Sequence, residues 1–159
     1  MPRQRRRHRL IIAASLALGM SLTHAADTSA PSTPDKLSAA RAQIAAKKWP
    51  AAVDELKRVN DTGSADWNNL MGYSLRKSAA PDHAAAEKYY DEALRIEPQH
   101  RGALEYSGEL YLITGNLPKA EARLAALDKA CRLPCEEYTD LKKAIERYKA
   151  NGNKVVAKQ

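Results

Sequence analysis

At 159 residues the chain has the length of a single domain. Its 26 basic and 19 acidic side chains give a formal charge of +7, but five of the arginines, and no acid, fall within the first nine residues. Without residues 1–25 the balance is 21 basic against 19 acidic, or +2, and a chain so nearly neutral lacks the basic footprint of a nucleic-acid reader.

The first segment reads as a secretory signal peptide, residues 1–25. Arg3, Arg5, Arg6, Arg7 and Arg9 precede an apolar run from Leu10 to Leu22, and Thr23-His24-Ala25 supplies small residues for cleavage before Ala26. The apolar run is 13 residues, short of the roughly 20 that span a bilayer, so no stable membrane span is expected after cleavage. An amphipathic organelle-targeting peptide would share the arginines, but not the unbroken apolar run. No cysteine lies near Ala25 to carry a lipid anchor. A periplasmic or secreted location is therefore expected.

Residues 26–33 form a polar Ser/Thr/Pro leader with nothing to bury, expected to be disordered. A helical domain is expected over 34–150. Thr33-Pro34-Asp35 has the form of a helix start, with a hydroxyl cap, a proline and an acid in the first turn. That helix carries Leu37, Ala40 and Ile44, and Pro50 opens a second one bearing Val53, Leu56 and Val59. Turn-forming residues from Asn60 to Ser64 close the pair. Trp67, Leu70, Met71 and Leu75 mark a third helix at helical period. After Ser78–Asp82 a fourth runs through Ala86, Tyr90 and Ala93 to Pro98. A fifth carries Leu104, Gly108 and Tyr111, a turn falls at Thr114-Gly115-Asn116, and a sixth carries Ala120, Leu124 and Leu127. The last helix is predicted from about Cys135 to Ala150, with Glu136 and Glu137 in its first turn and Lys149 in its last, as the helix dipole favours. Its stripe is Tyr138, Leu141, Ile145 and Tyr148; Asn151-Gly152 ends it, and 151–159 is expected to be a flexible tail.

The spacing of small and bulky residues resembles the tetratricopeptide repeat, a 34-residue helix-turn-helix unit. Leu104, Gly108, Tyr111, Gly115, Ala120, Leu124 and Leu127 stand in family register without a gap. Gly72, Leu75, Ala86, Tyr90, Ala93 and Pro98 do so with two extra residues at the inner turn. Ala40, Trp49, Ala52, Leu56 and Val59 form a ragged first copy. The resemblance covers about 100 residues and implies an all-α fold, a short α-solenoid of about three helix-turn-helix pairs plus a C-terminal capping helix.

The resemblance also implies a concave face lined by the first helix of each pair, where a protein or peptide partner would lie. The positions that map to it are Asn69, Tyr73, Arg76 and Lys77 in the second pair, and Glu105, Tyr106 and Glu109 in the third. Against this stands the simpler reading of these residues as solvated helix faces. The clamp for C-terminal carboxylates that some members use is not reproduced, because Leu37, Arg41, Asn69 and Tyr73 occupy the matching places. Trp49, Trp67, Tyr89 and Tyr90 read as packing residues.

Cys131 and Cys135 flank Leu133-Pro134, which disfavours helix, so they are expected at a helix–helix corner. In an oxidising compartment a structural disulfide is the leading reading. A copper or zinc pair, or a thiol-redox couple, remains as the alternative, although His83 and His100 have no ligand spacing to the cysteines. No nucleophile elbow, phosphate loop or His-Glu-x-x-His pattern is present. The expectation is a non-catalytic adaptor or scaffold of the cell envelope, without a cofactor; a metal or redox accessory protein is the runner-up.

Overall fold

Residues 35–155 are described by a computed structural model, and they form seven α-helices with no strand among them. In chain order these are α1 (Ser38–Ala45), α2 (Trp49–Val59), α3 (Ala65–Lys77), α4 (His83–Ile96), α5 (Arg101–Ile113), α6 (Leu117–Ala130) and α7 (Glu136–Ala150). The chain is all-α there, as its periodicity predicts. The expected signal peptide and leader lie outside the described residues, as do residues 156–159.

Polar side chains cap four of the seven helix starts. Ser64, Asp82 and Asn116 accept the backbone N–H of Trp67, Ala85 and Lys119 respectively, each satisfying one of the donors that a first turn leaves over. His100 does the same for α5 through Nδ1, at 3.0 Å from the Ala103 N–H. Pro50 and Pro118 stand in the first turns of α2 and α6, where a missing N–H costs nothing. The start of α1 differs from expectation. Asp35 Oδ1 accepts the N–H of Leu37 and its carbonyl accepts that of Ser38. The acid expected inside the first turn therefore builds a turn ahead of the helix.

Three helices end alike. Past α5 the Asn116 N–H reaches back to the Tyr111 carbonyl and that of Gly115 to Leu112; past α7, Asn153 returns to Tyr148 and Gly152 to Lys149; past α1, Lys48 returns to Gln43 and Lys47 to Ile44. All three are Schellman turns. They need a left-handed residue, supplied by Gly115 (φ 80°), by Gly152 (φ 65°) and, without the freedom of glycine, by Lys47 (φ 56°).

Helices pack only on those adjacent or two places away in the chain: each on the next, and α1 on α3, α3 on α5, α5 on α7. Leu37, Ala40, Leu56, Trp67, Leu70 and Met71 close the interior of α1–α3. Leu104, Leu127, Leu141, Ile145 and Tyr148 close that of α5–α7. Each fully buried leucine, such as Leu127 or Leu141, contributes about 2 kcal/mol. Trp67 satisfies its indole N–H on the Leu56 carbonyl at 2.7 Å. Trp67 and Tyr90 are buried and Trp49 and Tyr89 half-buried, in keeping with packing roles.

Gly72 and Gly108 occupy equivalent places on α3 and α5 but make different approaches. A Cβ on Gly72 would lie 2.8 Å from the Tyr90 ring and 3.0 Å from the Ala86 carbonyl, both on α4. A Cβ on Gly108 would meet Leu141 of α7 first, at 2.5 Å. One glycine seats α3 on the next helix; the other seats α5 against the helix that follows two places later.

Candidate functional site

Because α3 packs on α5 and α5 on α7, these helices expose one common face. Tyr73 on α3 lies beside Tyr106 on α5, with ring centroids 4.5 Å apart. Trp49, the first residue of α2, meets Tyr73 edge-on at 5.8 Å. Three half-buried rings thus form a row across three helices. Aromatic pairs at such distances add to the area they cover, and their few torsions make them rigid contact surface.

Arg76 lies beneath the row. Its side chain is 3% exposed, its Cζ is 5.5 Å from the Tyr73 centroid and 5.6 Å from that of Tyr106, and Nη2 donates to Glu109 Oε2 at 2.8 Å. Burial works against the guanidinium charge, but Tyr90, Glu109 and Tyr73 outweigh it, so its pKa is raised and the cation is held. Burial also pushes the Tyr90 phenol well above its ordinary range, with Arg76 partly opposing. The geometry leaves the Tyr90 hydroxyl and Arg76 Nε, both buried, without a hydrogen-bond partner.

At the amino-terminal end of the face the charge is acidic. Glu105 is half-buried on α5, with Glu109 one turn on and with Asp140 and Glu137 facing it from α7. Burial first, then these three carboxylates, push its pKa up to about 8, with Arg76 opposing. Glu105 therefore carries its proton at neutral pH. Tyr106 is pushed up to about 12, by burial and by Glu105.

The other end of the face is basic. There the last turns of α3, α5 and α7 enclose a cleft of about 520 Å³. Leu112, Ile113, Ala144 and Tyr148 supply apolar surface, and Lys77, Arg147 and Lys154 stand at its margin. The Schellman turn after α7 brings Lys154 and Val155 back onto this cleft, and Asn151 Nδ2 holds the Lys154 carbonyl at 3.2 Å. Ile113 and Val155 are 40% and 50% exposed, among the few large apolar side chains left open to solvent.

The seven residues mapped to the face fall into three groups. Tyr73, Tyr106 and Glu105 are half-buried on it, and Lys77 is exposed, its Nζ 5.9 Å from the Tyr73 centroid. Arg76 and Glu109 are drawn together as a pair. Asn69 is buried at 6% exposure, its amide nitrogen facing Gly102 of α5 and its Oδ1 without a partner. Of the clamp-matching places, Leu37 is in the core, while Arg41 Nη2 binds Asp66 Oδ2 at 2.9 Å. Asp66 also meets His100 Nε2 at 3.0 Å; burial would raise its pKa, but His100 and Arg41 together hold it below the usual range. The part played by Trp49 and the cleft residues of α7 was not read from sequence. For α7 the signal was its apolar stripe ending at Tyr148 next to Arg147.

Cys131 caps the end of α6 and Cys135 the start of α7, and they are joined by a disulfide that closes the Arg132–Pro134 corner. Among the described residues no group of three or more His, Cys, Asp or Glu is arranged to hold a metal ion, and no helix is long and apolar enough to cross a membrane. Comparison with known protein families, with curated proteins and with solved structures finds no match to this chain.

Proposed function

We propose that this protein is a small helical-repeat adaptor of the cell envelope, which holds a protein or peptide segment on the face of α3, α5 and α7 and performs no chemistry of its own. In this reading α1–α2, α3–α4 and α5–α6 are three tetratricopeptide-like pairs stacked as a short solenoid, with α7 as the cap. Packing that runs only between near neighbours supports it, as does the recurrence of small buried residues at Ala40, Gly72 and Gly108. The location rests on the expected signal peptide.

The observation that carries the function is the row Trp49–Tyr73–Tyr106 over a buried, paired Arg76. Rigid aromatic surface on a preorganised support is the composition of an interface hot spot. Replacing Tyr73 and Tyr106 together by alanine is expected to weaken capture of the cellular partner by about 30-fold or more, with helical circular dichroism unchanged. Cross-linking and mass spectrometry in the intact envelope measures this. Equal capture by wild type and double variant would remove the face from the account.

A further inference from the structure

The basic cleft is set apart from the aromatic row by what it lacks. Its one lining carboxylate, Glu109, is already taken by Arg76. Arg147 and Lys154 are exposed and have no acidic partner among the described residues. Lys119, Arg123 and Lys149 are matched, to Glu87, Asp91 and Glu121, whereas among the described residues exposed lysines such as Lys47, Lys57 and Lys143 stand alone as these two do; what sets Arg147 and Lys154 apart is that they border apolar surface. The cleft thus couples uncompensated positive charge to exposed apolar surface at Ile113 and Val155. Its size falls within the roughly 300–1,000 Å³ typical of sites that enclose a ligand group.

From this we infer that the cleft is a subsite for an acidic, apolar stretch of the partner protein, in which carboxylates flanking a bulky aliphatic side chain meet Arg147 and Lys154 while that side chain covers Leu112 and Ile113. The three last turns that meet here direct their carbonyl ends, and hence negative partial charge, toward the same region. Cations at the margin outweigh that field, and they favour a ligand that brings carboxylates to the margin rather than to the floor. A peptide is the occupant because Arg76 and Glu109 belong both to the cleft and to the support of the aromatic row, so one extended segment can run from one to the other. The inference rests on the reading of this face as a docking surface.

The test titrates the full chain against a fluorescein-labelled peptide of alternating glutamate and leucine, read by anisotropy, with a lysine–leucine peptide as control. The acidic peptide is expected to bind saturably, to be weakened by added salt, and to lose about tenfold or more in affinity when Arg147→Glu and Lys154→Glu are combined. Both positions are exposed, so the variant's melting curve is expected to stay close to wild type. Tyr73→Ala with Tyr106→Ala leaves Arg147 and Lys154 in place, so the affinity that remains in that variant is expected to keep its sensitivity to salt and to charge reversal, which separates the subsite from the aromatic row. Equal binding of the two peptides, or an unchanged curve after charge reversal, overturns the inference while leaving the adaptor reading intact. So does binding of dodecanoate without binding of the peptide. Cross-links from residues 156–159 to Ile113 that block the acidic peptide would assign the cleft to the chain's own tail and overturn it as well.

Discussion

The two ends of the common face solve the problem of charge in opposite ways. At the amino-terminal end Glu105 is held by burial first, and then by Glu109, Asp140 and Glu137, in the form that keeps a proton rather than a charge. At the carboxyl-terminal end Arg76 is more deeply buried than Glu105, yet it stays charged because Glu109 answers it directly. Burial alone does not decide ionisation; the group's ordinary pKa and the sign of the charges around it decide with it. The contrast also shows why the ends differ in sign. Helices that start together and end together favour acids at one edge and bases at the other, each placed to suit the dipoles.

The strongest way to break the comparison is to part the helices that carry both ends. Gly108→Leu would drive a side chain into Leu141, which is fully buried and has little room to yield. The expected cost is about 3 kcal/mol, seen as a lower melting temperature, with Gly108→Ala clearly milder. A melting temperature equal to wild type would mean that α5 and α7 do not meet at this glycine.

A smaller effect is expected from removing the answer to Arg76. Glu109→Ala would leave a guanidinium buried beside the unpartnered Tyr90 hydroxyl. A fully buried pair broken in this way costs about 3–5 kcal/mol; Glu109 is 31% exposed, so about 2 kcal/mol is expected in chemical denaturation. Combining it with Arg76→Met is expected to recover part of that loss. A double variant less stable than the single one would show that the cation is needed for more than its pairing.

The smallest effect sharpens the acidic end. Glu105 in the folded protein titrates near 8 rather than near 4.5, so between those values the native state holds a proton that the unfolded chain has released. Stability must then fall as pH rises through that window. Its contribution is fully present below the ordinary glutamate pKa and is lost as pH passes about 8. Glu105→Gln is expected to flatten the melting temperature between pH 5 and pH 8 by a few degrees. A slope identical to wild type would locate the proton elsewhere.

Much of the scaffold could be read from the chain itself. Apolar positions three and four apart located α3 to α7, and proline, Ser64, Asp82 and Gly152 marked their limits, because those signals are local. The start of α1 was misplaced because Asp35 can serve equally in a first turn or in the turn before it. The chemistry of the face was less legible. Tyr73, Arg76 and Lys77 stand close together in sequence and look alike as surface residues, but Arg76 is buried by Glu109 and Tyr106, some thirty residues away. The proton on Glu105 depends on its burial and then on Glu109, Asp140 and Glu137, and the approach of the last two follows from the seating of Leu141 against Gly108. Cys131 and Cys135 were readable because the proline between them breaks the helix locally.

Packing confined to helices one or two places apart has a consequence for how the molecule comes apart. No contact ties α1 or α2 to α6 or α7, so losing one end of the described chain leaves the interior of the other intact. Folding then needs few long loop closures. Such a molecule can lose α1 and α2 while the interior closed by Leu127 and Leu141 stays in place.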